Sequence, residues 1–113
     1  MFAFACKKEG KGGKINLTAN VSHHNLPIEN ASVYIKYGAT EFPGSDLTVY
    51  DDFIASDKNG VAVFKGLRKG NYFLYSVGFD KSINENVTGG IPVKIETKAG
   101  DIAVPLPVTE DHG

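Results

Sequence analysis

From Lys14 onward, apolar and polar side chains alternate with a period of two: Ile15, Leu17, Ala19 and Val21 against Asn16, Thr18, Asn20 and Ser22. In an extended chain that pattern sends one set into a core and the other to water, which makes a half-buried strand. The same period returns in Val33, Ile35 and Tyr37, set against Ser32, Tyr34 and Lys36. Leu47, Val49 and Phe53 mark a less regular strand interrupted by Asp51-Asp52. Further strands are predicted at Val61–Phe64, along the apolar run Tyr72–Phe79, at Ile91–Ile95 and at Ile102–Val108. Between them lie the turn Asp57-Lys-Asn-Gly60, with Gly60 available for positive φ, a polar loop over 80–90 ending in Gly89-Gly90, and the turn Ala99-Gly100-Asp101. Pro105 and Pro107 cannot donate to a ladder, which puts the last strand at a sheet edge. No stretch carries a helical stripe with caps. Short strands separated by turns every roughly 8–12 residues predict an all-β fold, a seven-stranded antiparallel Greek-key β-sandwich over residues 14–109, with 110–113 as a tail.

A chain of 113 residues is one domain, long enough to bury a core without disulfides or metal. Its net charge of −1 gives no general electrostatic attraction for nucleic acid. Residues 1–13 read differently from the rest. Lys7 to Gly13 is rich in Gly and Lys without periodicity, the composition of a flexible tether. The single cysteine, Cys6, sits just before it, after Ala5 and the apolar stub Phe2-Ala-Phe4. This resembles the end of a bacterial lipoprotein signal, where the thiol takes a diacylglycerol, and the polar residues after it resemble the tethers of Bacteroidetes-type surface lipoproteins. A charged leader and most of an apolar stretch do not precede it here, and Ala3 stands where Leu is usual. The resemblance implies an anchor on Cys6 and a place in the bacterial cell envelope, at the outer membrane or cell surface.

Three pieces in order carry a second resemblance. They are Leu26-Pro-Ile-Glu-Asn-Ala31-Ser-Val33, Ser56-Asp57-Lys-Asn-Gly60-Val-Ala-Val-Phe64, and Gly66-Leu67-Arg-Lys-Gly70-Asn-Tyr72-Phe-Leu74. Together they resemble the transthyretin-like (prealbumin-like), carboxypeptidase regulatory-like or Cna B-type sandwich family. Tyr72 then fits a tyrosine corner, its hydroxyl bonding to backbone near Leu67 while the ring fills the core; Leu67, Gly70, Asp57 and Gly60 are the structural residues of the motif. The family's chemistries lack their residues here. Where a Lys–Asn crosslink needs a Lys and an acid, this chain has Ala19 and Ser76, and the C-terminal Tyr-Arg-Gly-Ser of the transthyretin-like hydrolases is replaced by Thr109-Glu-Asp-His-Gly113. Asp46, Asp51, Asp52 and Asp57 do not have the spacing of a calcium cage.

No catalytic constellation emerges, and no metal or other cofactor is expected. His23 and His24 are consecutive at a strand's end, where extended geometry sends them to opposite sides and away from a shared ion. The one feature that points to a ligand lies on the strand of Tyr72. If Tyr72 and Leu74 face the core, Phe73, Tyr75, Val77 and Phe79 face outward, with Tyr34 and Tyr37 as extensions on a neighbouring strand. Either the 38–46 or 80–90 loop covers that face, or a bulge at Gly78 shifts its register, or it binds a protein, a glycan or a second copy. The expectation is a non-enzymatic surface module for protein or carbohydrate binding or assembly. A small transthyretin-like hydrolase and a purely structural spacer are the alternatives.

Overall fold

The computed structural model describes residues 9–96 and 100–110; Cys6 lies outside them. In chain order the strands are β1 (Lys11–His23), β2 (Leu26–Pro27), β3 (Ser32–Tyr37), β4 (Asp52–Ala55), β5 (Val61–Leu67), β6 (Gly70–Asp80), β7 (Glu85–Ile95), β8 (Asp101–Pro107) and β9 (Thr109–Glu110), with no α-helix among the described residues. One sheet gathers β2, β1, β5 and β8; the other runs β4-β3-β6-β7-β9. All pairs are antiparallel except β8, which lies parallel to β1 from Asn16↔Asp101 to Ser22↔Pro107. The described residues therefore form nine strands with one parallel pair, where seven antiparallel strands were expected. Pro105 and Pro107 are accommodated because β8 pairs only with β1 among the described residues.

The alternation read from the sequence sets which side chains are buried. Ile15, Leu17, Ala19 and Val21 of β1, with Ala62, Phe64 and Leu67 of β5, belong to the same core as Val33 and Ile35 of β3, Tyr72 and Leu74 of β6, and Val87, Val93 and Ile95 of β7. Each large apolar side chain removed from water contributes roughly 1.5–3 kcal/mol before chain entropy is charged against it. Ser76 lies in phase with Tyr72 and Leu74 on β6, fully buried, and its hydroxyl has no partner among the described residues.

Three boundaries differ from the sequence reading, each for a local reason. β1 starts at Lys11, inside the stretch expected to be a tether. Leu67 pairs with both Lys11 and Ile15, so the strand bulges at Gly12-Gly13, and a Cβ on Gly13 would overlap the Leu67 carbonyl. Leu47–Val49 is not a strand but a 3₁₀ turn capped by Asp46, whose carboxylate accepts from the Thr48 N–H at 3.1 Å. Residues 80–90 are not a loop. β6 runs to Asp80, four residues turn the chain with Asn84 at φ +58°, and β7 resumes at Glu85.

The motif residues sit in tight local frameworks. Asp57 accepts from the N–H groups of Asn59 (2.8 Å) and Val61 (3.0 Å), and Gly60 takes φ +76° against the Val21 carbonyl, where no side chain fits. The Tyr72 hydroxyl donates to the Arg68 carbonyl at 2.5 Å and accepts from the Gly10 N–H at 2.9 Å. Arg68 N–H returns a bond to the Gly10 carbonyl (2.8 Å), so this buried corner also fastens the start of β1. Gly70, at φ +143°, lies against the Glu9 side chain, which accepts from the Asn71 N–H at 3.2 Å.

Candidate functional site

Two groupings carry chemistry. The first is the outer face of β4, β3 and β6. Phe53, Tyr34 and Tyr75 stand directly opposite one another across the three strands, and Phe73 lies one pair further along β6. The segment between β3 and β4 folds back over them and adds Phe42 and Tyr50. The six rings form a continuous chain: Phe73–Phe42 (5.9 Å between centroids), Phe42–Tyr75 (5.1 Å), Tyr75–Tyr50 (5.9 Å), Tyr50–Tyr34 (5.8 Å) and Tyr34–Phe53 (5.2 Å). These separations are those of favourable aromatic pairs. Phe42 and Phe53 remain 52% and 61% exposed.

Of the residues expected on this face, Tyr34 and Tyr75 are in the ring chain. Phe73 also joins it but is buried, under Phe42 and over Gly90, where a Cβ would stand 2.6 Å from its ring. Val77 and Phe79 share the outward phase further along β6, Phe79 43% exposed. Tyr37 does not extend the face: it is paired with Tyr72 and packs edge-on against that ring at 5.8 Å, on the core side. Phe42 lies in the 38–46 stretch, one of the segments expected to cover this face; Tyr50 and Phe53 are additions that no local pattern in the sequence marks.

The second grouping lies where β1, β6 and β9 end together. His23 continues the inward phase of Ile15 to Val21 and is buried. Its Nδ1 is 2.7 Å from Asp80 Oδ2 and its Nε2 is 2.8 Å from Glu110 Oε1. Two ionised carboxylates offer only acceptors, so both ring nitrogens carry protons and the imidazole is a cation. The bond to Asp80 chiefly, and that to Glu110, hold its pKa above the usual value although burial opposes them. Asp80 is lowered to about 2, first by the Ser82 hydroxyl (2.6 Å) and next by His23; the Ser82 N–H (2.9 Å) adds to this. Glu110 is lowered by its own backbone N–H and by His23. A readable signal existed for this cluster. Asp80 is in phase with Tyr72, Leu74 and Ser76, and a carboxylate at an inward position requires a partner.

The expectation that His23 and His24 diverge is overturned. His24 and Asn25 are the two central residues of the β1–β2 hairpin, at φ +54° and +69°, and leaving extended geometry brings the His24 ring to 4.1 Å from that of His23. Arg68, the chain's single arginine, lies by Gly12 at the start of β1, whereas His23 ends that strand, roughly 26 Å away at the strand rise from Ile15 onward. The acidic residues Asp46, Asp51 and Asp57 hold separate stretches of backbone, and Asp52 pairs with Lys11 at 3.2 Å.

With two β-sheets, a ring-lined outer face and a charged cluster at one end, the chain is a two-sheet β protein. It matches no protein-family model and no curated protein sequence.

Proposed function

We propose that this chain is a non-enzymatic binding module of the transthyretin-like or Cna B-type sandwich kind, held at a bacterial outer membrane or cell surface by a lipid on Cys6. Its partner is a protein or a glycan, or a second copy of itself. The observation that carries the reading is the six-ring chain in which two rings, Phe42 and Phe53, stay more than half exposed. Exposed apolar area gathered on one face of a small domain is a recognition feature more often than a packing accident. The β4 edge favours a polypeptide over a glycan. Four residues long, it pairs only with β3 among the described residues and leaves both Phe53 and Ile54 exposed, one on each face. A partner strand added there would gain backbone hydrogen bonds and lay side chains on the rings.

The test uses Phe42→Ser and Phe53→Ser, which spare the buried Phe73. Sedimentation of the isolated chain, pull-down from the native envelope and glycan-array binding are compared with wild type. Binding or self-association that falls at least tenfold in the double variant, with an unchanged melting temperature, supports the module. Interactions that survive the double variant, or none in any assay, refute it and favour a spacer.

A further inference from the structure

We propose that the end of the molecule carrying His23, His24 and Glu110 is a binding site for one divalent metal ion of the zinc class. One ligand atom from each of the three residues lies within 4.8 Å of the others. Tetrahedral zinc with bonds of about 2.0–2.1 Å needs ligand atoms roughly 3.3 Å apart. His23 Nε2 and Glu110 Oε1, now 2.8 Å apart, have only to part by about half an ångström, and the exposed His24 ring closes the rest by side-chain rotation. Binding replaces the proton on His23 Nε2 with the metal, and that proton leaves to solvent. Three protein ligands leave a fourth position open.

Two further observations point the same way. The remaining nitrogen of His23, Nδ1, already faces Asp80 Oδ2 at 2.7 Å, and Asp80 is itself held by two bonds from Ser82. That is the outer arrangement that fixes the tautomer and ring plane of a metal-bound histidine, built here on the buried end of β6. Second, His24 occupies a left-handed position that asparagine or glycine fills at lower cost. That conformation, which histidine adopts more readily than most residues, is what turns its ring toward His23. Two imidazoles and a carboxylate suit Zn²⁺ or Co²⁺ better than Ca²⁺ or Mg²⁺.

The experiment titrates the full chain with Zn²⁺ by calorimetry and with Co²⁺ by visible absorption, in wild type, His24→Asn, Glu110→Gln and Asp80→Asn. His24→Asn suits the turn better and removes a ligand, so its melting temperature in chelator stays the same or rises. One equivalent of Zn²⁺ and tetrahedral Co²⁺ bands are expected in wild type. Affinity falls at least tenfold in His24→Asn and Glu110→Gln, and ten- to a hundredfold in Asp80→Asn, which positions His23 without touching the ion. No uptake by wild type overturns the proposal. So does uptake that His24→Asn leaves unchanged, since Cys6 or His112 would then hold the ion.

Discussion

The Tyr72 hydroxyl is the clearest case of one polar group joining distant parts of the chain. It donates to a carbonyl four residues upstream and accepts from Gly10, so a single oxygen ties the β5–β6 turn to the start of β1. Tyr72→Phe keeps the buried ring, removes both bonds and leaves the Gly10 N–H without its acceptor. Loss of about 1–3 kcal/mol of unfolding free energy is expected by denaturant titration at neutral pH. The same group gives a pH signature. Burial raises the Tyr72 pKa above its ordinary 10, with the Gly10 bond pulling against it. A group with a raised folded pKa contributes stability that is complete below its unfolded pKa and lost as pH climbs through the folded one. Wild type should therefore weaken from about pH 10 upward, and Tyr72→Phe should weaken less over that window. Tyr37 and Tyr50, also raised by burial, supply the remaining slope. Parallel curves for the two proteins would show that the corner hydroxyl does not govern alkaline unfolding.

Two adjacent glycines on β7 do different work. Gly89 sits where the last strand leaves one sheet for the other: Val108 N–H bonds the Ser22 carbonyl of β1, and Thr109 then pairs with Thr88. A Cβ on Gly89 would lie on the Pro107 carbonyl, which is backbone and cannot step aside. A Cβ on Gly90 would meet first the rim of the Phe73 ring, which can tilt if Phe42 follows, and then the Leu74 carbonyl at 3.0 Å, a looser approach than at Gly89. Gly90→Ala should cost about 1–3 kcal/mol, the usual range for overpacking, and Gly89→Ala more than that, with β9 detached. Thermal melting ranks the two; an equal or reversed order would mean that the crossover is not pinned at Gly89. This contrast also explains how far the sequence could be read. Period-two alternation made the strands from Ile15, Val33, Val61, Tyr72 and Ile91 legible, because burial on one face dictates it. Polar Glu85, Asn86 and Thr88 concealed the first half of β7, which alternates around Val87 alone. Gly12 and Gly13 looked like linker because composition cannot separate a glycine kept for flexibility from one kept for close approach to Leu67. The ring chain and the charged cluster join residues far apart in sequence, and no local pattern encodes such pairings; only the inward phase of His23 and Asp80 hinted at one.

At the scale of the whole molecule, β1 sets a direction. Past its bulge it runs on from Ile15 to His23, so its ends are roughly 26 Å apart in a molecule 51 Å long. Gly10, fastened to Tyr72 and Arg68, is at one end, and the His24 turn is at the other. Cys6 precedes Gly10 by four residues in the sequence, and four residues of chain reach at most about 14 Å. An anchor on Cys6 would therefore hold the β5–β6 turn against the bilayer and present the histidine end outward, with the ring face along the side. Coupling Cys6 to a maleimide lipid in phosphatidylcholine vesicles makes this measurable without the native host. A fluorophore at Lys69, in the β5–β6 turn, should be strongly quenched by a lipid-phase quencher, and one at Asn25, in the β1–β2 turn, hardly at all. Equal quenching at the two positions would mean that the domain lies flat on the surface or tumbles about its attachment, and the outward presentation of His24 would fail with it.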